Sequence, residues 1–563
     1  MRDMASPRVN PAVRLLPSMT DVAFLMPAAF LFLRMEGATT MLGDGDTGWH
    51  VRTGEWILAN GKVPHVDMFS FTKAGQPWFA WEWLWDVMFA WLHQRAGMEA
   101  VVLASILVIS VTSALLFRLI LRHCANVFIA ILVMVPVTAC SAIHYLARPH
   151  LFTLLFAVIF CWIFELASEG RTRLLFWLPA LTAIWTNIHG GFFVGVIFAC
   201  TYAAGELAGA MIASDAGERR AAVQRSKPYL WTALGCMAAS LVNPYGYNLH
   251  RHIFEYLTDP YQFKVIMEFQ SFNFHHPVTM YFEPMLAAGV AAAVWNLAQR
   301  RFVYAFLIVG WAHLALVAQR NVPIFMIAAA PPVAMALEEM LEWLPKLQLA
   351  GWIRTAAGKL QTAAVEFSLT DRIARFHVVS AAVAVLLVTL FYAPSAPAKC
   401  KAVYDPKRYP TKALAVLRGP ELAQTIFTDD EWGDFLIYSL YPNTKVFVDG
   451  RSDFYGARFG EKCMDVLNVK YDWEKNLSLY HISAILLPTD TPLAGTLKES
   501  HKWRAVYDDG VAIVFRSIAS EATGSDEVSD VRPDAGKVRD HKVTKSLTRD
   551  PQVTQPQLRS EPS

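Results

Sequence analysis

The 563-residue sequence predicts a polytopic α-helical membrane protein with about eleven transmembrane helices, a small C-terminal α/β soluble domain and a disordered tail. Two observations predict this class. Hydrophobic residues make up 54% of the chain and charged residues 17%, against roughly 45–50% and about 25% in soluble domains. The apolar residues are also concentrated in long blocks between residues 20 and 395, so we expect the first two thirds of the chain to cross a bilayer.

The apolar blocks define the predicted spans. A membrane helix needs about 20 mostly apolar residues to cross the hydrocarbon. The segments that meet or approach this length are 20–41, 98–118, 126–143, 150–167, 174–189, 190–213, 229–242, 284–299, 302–318, 321–341 and 377–393. The amphipathic stretch Trp78–His93 carries tryptophans, which favour the membrane interface, so we expect it to lie there rather than to span.

Basic residues set the orientation. Lysine and arginine precede the first span and follow the second, fourth, sixth, eighth and tenth spans. By the positive-inside rule these flanks are cytoplasmic, and so is the N-terminus. Residues 43–97, which we call the first outer loop, and all residues after 394 then lie on the outer side. We therefore expect an integral protein of the plasma (inner) membrane with a periplasmic C-terminal domain.

Three domains follow from the composition: a membrane domain over 1–397, a soluble domain over 398–518 and a tail over 519–563. The soluble domain alternates short apolar runs with helical patterns, which favours an α/β fold with a largely parallel sheet. Its predicted strands are Thr425–Thr428, Lys445–Val448, Ala484–Leu487 and a hairpin of Arg504–Tyr507 with Val511–Phe515. The tail has few bulky apolar residues and is expected to be disordered.

Other features of the sequence restrict its chemistry. The seven cysteines show no CxxC spacing, so no zinc site is indicated. Cys400 and Cys463 could form a disulfide in an oxidising compartment, or stay two separate thiols. The segment Asp449–Asp453 follows a predicted strand, where α/β sheets tend to bind ligands; alternatively it is a polar turn in which Arg451 pairs with a neighbouring acid. No basic stripe indicates nucleic acid as a partner.

The most informative segment is Gly43–Glu55, at the start of the first outer loop. Asp44 and Asp46 stand two residues apart, a spacing that lets two carboxylates reach one divalent cation or one acceptor hydroxyl. Flanking glycines allow the backbone to turn sharply. The same loop adds further ionisable groups, namely His50, Arg52, Asp67 and Glu82. An exposed acidic loop without a function would give a similar pattern.

Polar residues also gather at the outer ends of other predicted spans: Arg148, His150, His189, Arg320 and Asn321. Ionisable groups near membrane depth are costly and usually line a cavity, so we expect one polar cavity that opens outward. Arginine offers a rigid fork for phosphate oxygens, which makes Arg148 and Arg320 candidates for anion binding. Alternatively, these arginines only anchor span ends and the histidines are structural.

With these residues in place, the chain resembles the C-type glycosyltransferases, which include oligosaccharyltransferase catalytic subunits, protein O-mannosyltransferases and aminoarabinose transferases. The similarity covers the architecture of most of the chain, and in residues the segment Asp44–Arg52 is similar to the acidic segment of the first outer loop in those enzymes. The WWD-type acceptor motif of the oligosaccharyltransferases is absent from 398–518, which argues against peptide N-glycosylation.

The resemblance implies a hexosyl- or pentosyltransferase that moves a sugar from a polyprenyl-phosphate donor to an envelope lipid, glycan or protein acceptor. Asp46 or Asp44 would act as the base or would hold a divalent cation such as Mg²⁺ or Mn²⁺, and Asp67 is the next carboxylate to consider. Arg148, Arg320 or His150 would neutralise the leaving phosphate. The other residues assigned to substrate binding are His50, Arg52, Glu82, His189 and Asn321.

Two other classes of protein fit parts of the pattern. A secondary transporter of an anionic or sugar-like solute also places charges in a helical bundle, but its site usually lies near the midplane on broken helices. A non-catalytic envelope scaffold would use the soluble domain to bind a partner. Turnover of a lipid-linked sugar would distinguish the first class from these two.

Overall fold

A computed structural model describes residues 11–343, 351–371, 373, 375–419 and 425–518. In this part of the chain, six helices are long and apolar enough to cross a membrane, which indicates an integral membrane protein. They lie within Val13–Arg34, Trp83–His123, Val127–His144, His150–Ser168, Gly190–Met211 and Gln319–Trp343. Each coincides with one of the predicted spans.

The other five predicted spans are also helical. Phe302–Val317 and Val378–Phe391 are apolar but shorter than a full span. The segments predicted at 174–189, 229–242 and 284–299 fall within Trp177–Ile188, Ala216–Ala239 and Thr279–Ala298, which do not meet the criteria of length and hydropathy together. The count of about eleven spans therefore stays a prediction.

The α-helices before residue 397 are numbered in chain order. They are α1 Met19–Arg34, α2 Ala38–Met41, α3 Asp46–Asn60, α4 Trp83–His123, α5 Val127–Ser141, α6 His150–Ser168, α7 Trp177–Ile188, α8 Phe193–Met211, α9 Ala216–Ala239, α10 Tyr247–Thr258, α11 Pro260–Val265, α12 Thr279–Ala298, α13 Phe302–Val317, α14 Val322–Trp343, α15 Gly351–Asp371 and α16 Val378–Phe391.

A kink divides α4 into two helical parts. Ala96 and Gly97 leave the helical region, and Gly97 has φ +73°, a conformation that glycine adopts without strain. The part before the kink corresponds to the amphipathic stretch that the sequence predicted, and it carries Asp86 on its buried side. The part after the kink forms the second apolar span.

The chain continues after residue 397 as an α/β region. Its elements are α17 Leu414–Leu417, β1 Thr425–Phe427, α18 Asp430–Leu440, β2 Lys445–Val446, α19 Ser452–Tyr455, α20 Ala457–Leu467, α21 Trp473–Ser478, β3 Ala484–Pro488, α22 Pro492–Lys498, β4 Trp503–Asp508 and β5 Ala512–Ser517. The five strands agree closely with the predicted strands.

The five strands form one sheet in the order β2-β1-β3-β5-β4. Strands β2, β1 and β3 pair in parallel, whereas β5 pairs antiparallel to both β3 and β4. The sheet is therefore mixed, and the expectation of a largely parallel sheet was only partly right. The reason is the short turn between β4 and β5: a tight turn joins antiparallel strands, while parallel neighbours need a longer crossover.

The first outer loop is attached to this sheet. Ser70 forms a parallel bridge with Val446 of β2. The Thr72 hydroxyl donates to the Phe447 carbonyl at 2.7 Å, and the Lys73 ammonium donates to the Tyr455 carbonyl at 2.8 Å. The chain up to Ser517 forms one compact unit, so the division at residue 397 stays a prediction. The predicted disordered tail, 519–563, lies outside the described residues.

Cys400 and Cys463 are both free thiols. Cys400 packs into the large core shared with the membrane helices, whereas Cys463 belongs to a separate core on the other side of the sheet. The disulfide that the sequence allowed is therefore absent, because the two thiols are buried in different cores.

Candidate active site

The first outer loop, the ends of several helices and the α/β region enclose a polar cavity of about 410 Å³. Of the residues predicted from the sequence, Asp44, Asp46, Glu82, Arg148, His150, His189 and Arg320 line it. The C-terminal region contributes further polar residues, among them Asp434, Arg451 and Asp453. The structure thus brings most of the predicted site residues into one place.

Local backbone structure presents Asp44 and Asp46 to this cavity. Asp44 Oδ1 accepts a hydrogen bond from the Asp46 amide at 2.8 Å, where α3 begins, so one carboxylate fixes the backbone that carries the other. Gly45 lies under α18: a Cβ there would lie 2.6 Å from the Glu431 carbonyl oxygen. Glycine is therefore required by this close approach of two backbones.

The Arg148 guanidinium lies between the two aspartates. Its Nη1 is 2.8 Å from Asp44 Oδ2, and its Nη2 forms an ion pair with Asp46 Oδ2. Burial raises the pKa of Asp46 to about 6, and the neighbouring Asp44 carboxylate adds to the shift while Arg148 opposes it. The pKa of Asp46 is thus closer to neutral pH than that of an exposed aspartate, which suits a general base.

Asp434, on α18, is a second buried carboxylate, and it and Asp46 both lie against Gly450. The Gly450 amide donates to Asp434 Oδ1 at 2.9 Å, and the Trp49 indole donates to Asp46 Oδ1 at 3.1 Å. Burial and the Asp46 charge raise the pKa of Asp434 well above its usual value, so Asp434 holds a proton more tightly than an exposed aspartate does.

Sequence reasoning missed Asp434, although a signal was present. It falls on the apolar face of a predicted helix, close to Trp432, Phe435 and Ile437, which are all buried. An acidic residue on the apolar face of an amphipathic helix is costly to bury unless it has a partner.

Arg320 and Glu268 form the other charged wall of the cavity. Burial would raise the pKa of Glu268, but Arg320 and Arg148 outweigh it and lower that pKa to about 2. Arg320 packs over the Phe269 ring at 4.5 Å, and among the described residues it has no carboxylate within 4 Å. Its guanidinium is therefore available to a ligand, whereas that of Arg148 is already paired.

Glu82 and two histidines line a third wall. Glu82 Oε2 lies 3.3 Å from His50 Nε2, and Glu82 Oε1 lies 3.5 Å from His189 Nε2. His50 itself is buried behind Glu82 and contacts Asp86 at 2.7 Å through its Nδ1. His150 reaches the cavity while its Nε2 donates to the His144 carbonyl at 2.8 Å.

Four predicted site residues lie outside the cavity lining: His50, which is buried behind Glu82, and three others with partners of their own. Arg52 donates through Nε to the Tyr438 carbonyl at 2.8 Å and fastens α3 to α18. Asp67 is buried and pairs with Arg451 at 2.7 Å. Asn321 donates to the Leu314 carbonyl at 3.1 Å. This geometry favours structural roles for all three.

The arrangement of the carboxylates shows whether they could bind the divalent cation that the sequence suggested. Among the described residues, no three His, Cys, Asp or Glu side chains are arranged to hold a metal ion. Asp44 and Asp46 would be the ligands, but both contact Arg148. The pair as arranged fits a guanidinium rather than a metal ion.

Comparison with known proteins gives a match in structure. No family matches the sequence, and no curated protein matches it. The fold is similar to that of the oligosaccharyltransferase of Archaeoglobus fulgidus in the apo form, with 11% identity and a TM-score of 0.50 over 83% of this chain and 69% of that one.

The structure of the archaeal oligosaccharyltransferase AglB, also from Archaeoglobus fulgidus, in complex with an inhibitory peptide and a dolichol-phosphate is similar as well. It has 10% identity and a TM-score of 0.52 over 89% of this chain and 74% of that one. At this identity the similarity establishes the fold. The chain therefore has a fold similar to that of these archaeal oligosaccharyltransferases.

Proposed function

We propose that this protein is a membrane glycosyltransferase that transfers a sugar from a polyprenyl-phosphate donor to an envelope lipid, glycan or protein acceptor. The observation that carries the proposal is the cavity in which Asp44 and Asp46 of the first outer loop meet Arg148 and Arg320 of two other outer loops. The C-type glycosyltransferase fold and the apolar helices beside this cavity support the same activity.

In the proposed reaction Asp46 is the base. It takes the proton from the acceptor hydroxyl as the hydroxyl oxygen attacks the anomeric carbon of the sugar. The bond from that carbon to the phosphate oxygen breaks, and its electron pair stays on the phosphate. A positioned base contributes about 10²–10⁴-fold to such a step. The raised pKa of Asp46 and its place at the cavity wall support this role.

We assign the donor phosphate to Arg320. This arginine lines the cavity beside Glu268 but has no carboxylate within 4 Å among the described residues, so its N–H groups can donate charge-assisted hydrogen bonds to a phosphate. Arg148 instead holds Asp44 and Asp46 in position. A divalent cation at Asp44 and Asp46 remains a prediction, because it would have to displace Arg148 from both carboxylates.

The direct test is turnover by purified protein. Membranes of cells that lack the protein should accumulate the lipid-linked sugar that it consumes, and extraction of these lipids identifies the donor. The purified protein should then release polyprenyl phosphate from that donor in the presence of an acceptor extract. Uptake of a solute into proteoliposomes without such release would instead favour a transporter.

A further inference from the structure

A second polar cavity, of about 280 Å³, lies between α8, the start of α9 and the turn from α12 to α13. By the positive-inside rule this turn is predicted to be cytoplasmic, on the side of the membrane opposite the candidate active site. The charged residues that line the second cavity are two glutamates and three arginines: Glu206, Glu218, Arg225, Arg300 and Arg301. The proposed sugar transfer uses none of them.

Close packing of α8 against the start of α13 shapes the second cavity. A Cβ on Gly205 of α8 would lie 2.7 Å from the Val303 amide nitrogen, so the two helices can approach this closely because residue 205 is glycine. Both residues line the cavity. Gly209, one turn further along α8, also lines it, and a Cβ there would meet no atom within 4 Å. The space beside Gly209 is therefore open to a ligand.

Most of the charges in the second cavity are already paired. Two of its arginines form ion pairs with glutamates, each at 2.8 Å: Arg225 with Glu206, and Arg301 with Glu339. Among the described residues, neither Arg300 nor Glu218 has a side chain of opposite charge within 4.0 Å. The cavity thus offers a ligand one unpaired cation and one unpaired anion.

Arg300 also occupies a backbone position that favours glycine. Two hydrogen bonds close the end of α12, one from the Arg300 amide to the Leu297 carbonyl at 3.0 Å and one from the Arg301 amide to the Asn296 carbonyl at 2.8 Å. This arrangement places Arg300 in the left-handed region with φ +58°, where glycine is the usual residue because a side chain is strained there. Strain of this kind, at a residue that lines a cavity, indicates that the side chain itself has a role.

The second cavity lies where two apolar helices end. The apolar span that contains α8 ends at Met211, and α13 begins at Phe302. Ile212 and Phe302 line the cavity, and the side chains of Met211 and Ile212 are 83% and 46% exposed. Charged groups beside exposed apolar side chains at the ends of membrane helices match the level of lipid head groups. This position favours a membrane lipid over a soluble ligand.

We infer that the second cavity binds the head group of a phosphoethanolamine lipid, with Arg300 on its phosphate and Glu218 on its ammonium. A guanidinium donates charge-assisted hydrogen bonds to phosphate oxygens, and a carboxylate accepts them from a primary ammonium. The two unpaired charges have opposite signs, so a zwitterionic head group matches both. An anionic head group would match Arg300 and leave Glu218 without a partner. This binding does not depend on the proposed sugar transfer.

The test measures binding of single lipids to the delipidated full-length protein in detergent by native mass spectrometry. Phosphatidylethanolamine should bind at least about tenfold more tightly than phosphatidylglycerol with the same acyl chains, because phosphatidylglycerol lacks the ammonium and forms one charge-assisted hydrogen bond fewer. Phosphatidylcholine should also bind more weakly, because its trimethylated ammonium cannot donate a hydrogen bond. Glycerophosphoethanolamine, which has the same head group without acyl chains, should not displace the lipid at equal concentration.

Three variants assign the binding to the proposed residues. Arg300→Gly removes the guanidinium and relieves the backbone strain, so it should keep the wild-type Tm in lipid-free detergent and bind phosphatidylethanolamine about tenfold more weakly. Glu218→Gln should lose the preference for phosphatidylethanolamine over phosphatidylglycerol. Arg219→Ala is the control, because Arg219 is exposed and lies outside the cavity lining, and it should bind both lipids as the wild type does.

An affinity for phosphatidylethanolamine that Arg300→Gly leaves unchanged would overturn the inference. Wild-type protein that binds phosphatidylglycerol as tightly as phosphatidylethanolamine would also overturn it, since the cavity would then recognise negative charge alone. Displacement of the lipid by glycerophosphoethanolamine would assign the cavity to a soluble ligand and exclude the lipid. The unchanged Tm expected of Arg300→Gly separates lost lipid binding from lost folding.

Discussion

At the scale of single residues, Asp46 and Asp44 differ in their surroundings. Asp46 contacts Arg148, Asp434 and Trp49 at the cavity wall, whereas Asp44 accepts from the backbone at the start of α3. We expect Asp46→Asn to lower turnover by at least about 10², because asparagine keeps the shape but cannot accept a proton. Asp44→Asn should lower turnover less, since an amide oxygen can still accept the hydrogen bond from the Asp46 N–H.

Initial rates of sugar transfer by purified protein test this difference. Asp490→Asn is a matched control, because Asp490 is exposed and lies outside the cavity. Full turnover in both Asp46→Asn and Asp44→Asn would show that the first outer loop does not hold the base.

The two arginines of the cavity should respond differently to truncation. Arg320→Ala should raise the Kd of the donor by about tenfold or more, because a hydrogen bond to a charged group contributes roughly 1.5–3 kcal/mol. Arg148→Ala should lower the Tm as well, because it leaves Asp44 and Asp46 without their shared cation. Donor titration and thermal unfolding of both variants separate these effects, and an unchanged Kd in Arg320→Ala would contradict the assignment.

The sequence predicts which residues line the site better than it predicts the partner of each residue. It identified Asp44, Asp46, Arg148 and Arg320 because polar groups at the outer ends of apolar spans need a common wet space. It could not distinguish Arg320 from Arg148, since the difference lies in ion pairs with residues far away in the chain. For the same reason it grouped Asp67 with the catalytic candidates, although Arg451, 384 positions further on, is its partner.

At the scale of elements, Arg451 joins the first outer loop to the α/β region. Its guanidinium is buried between Asp67 and Asp449, each 2.7 Å away, and lies 4.5 Å from the centre of the Trp78 ring. Tyr455 adds a hydrogen bond to Asp449 at 2.8 Å. The segment that the sequence left open between a ligand site and a polar turn is thus a buried ion-pair network that also borders the cavity.

Arg451→Ala should therefore destabilise the protein strongly. It removes the cation that pairs with two buried carboxylates, Asp67 and Asp449, a change that typically costs about 3–5 kcal/mol of unfolding free energy. Thermal unfolding in detergent would show a large fall in Tm. Lys498→Ala is the control, because the Lys498–Asp508 pair is exposed and should contribute less than about 1 kcal/mol. An Arg451→Ala variant as stable as the Lys498→Ala control would show that the ion pairs of Arg451 do not stabilise the protein.

The elements themselves were largely predictable. The strands and helices after residue 425 match because alternating and helical patterns are local properties of the sequence. The order of the strands in the sheet could not be predicted, because the position of β5 between β3 and β4 depends on pairing between distant segments. The bridge from Ser70 to Val446 also escaped prediction, because an isolated bridge in a loop leaves no periodic pattern.

At the scale of the whole molecule, the contacts restrict how the chain can cross a membrane. The first outer loop forms hydrogen bonds and an ion pair with the α/β region, so the two must lie on the same side. By the positive-inside rule, the basic flanks predict that residues 342–376 lie on the opposite side. Both arguments lead to one arrangement, although they use independent properties: tertiary contacts in one case and the distribution of charge in the other.

Labelling of single cysteines tests this arrangement. In a chain whose seven cysteines are replaced, Gln76→Cys in the first outer loop and Tyr471→Cys in the α/β region should react with a membrane-impermeant maleimide added to intact spheroplasts. Both positions are exposed, and Tyr471 is 99% exposed, so access to the thiol does not limit the reaction. Thr355→Cys on α15, also exposed, should react only after the membrane is permeabilised. Labelling of the first two positions from opposite sides would be incompatible with the cavity, because the loop that carries Asp46 and the helix that carries Asp434 could then not meet.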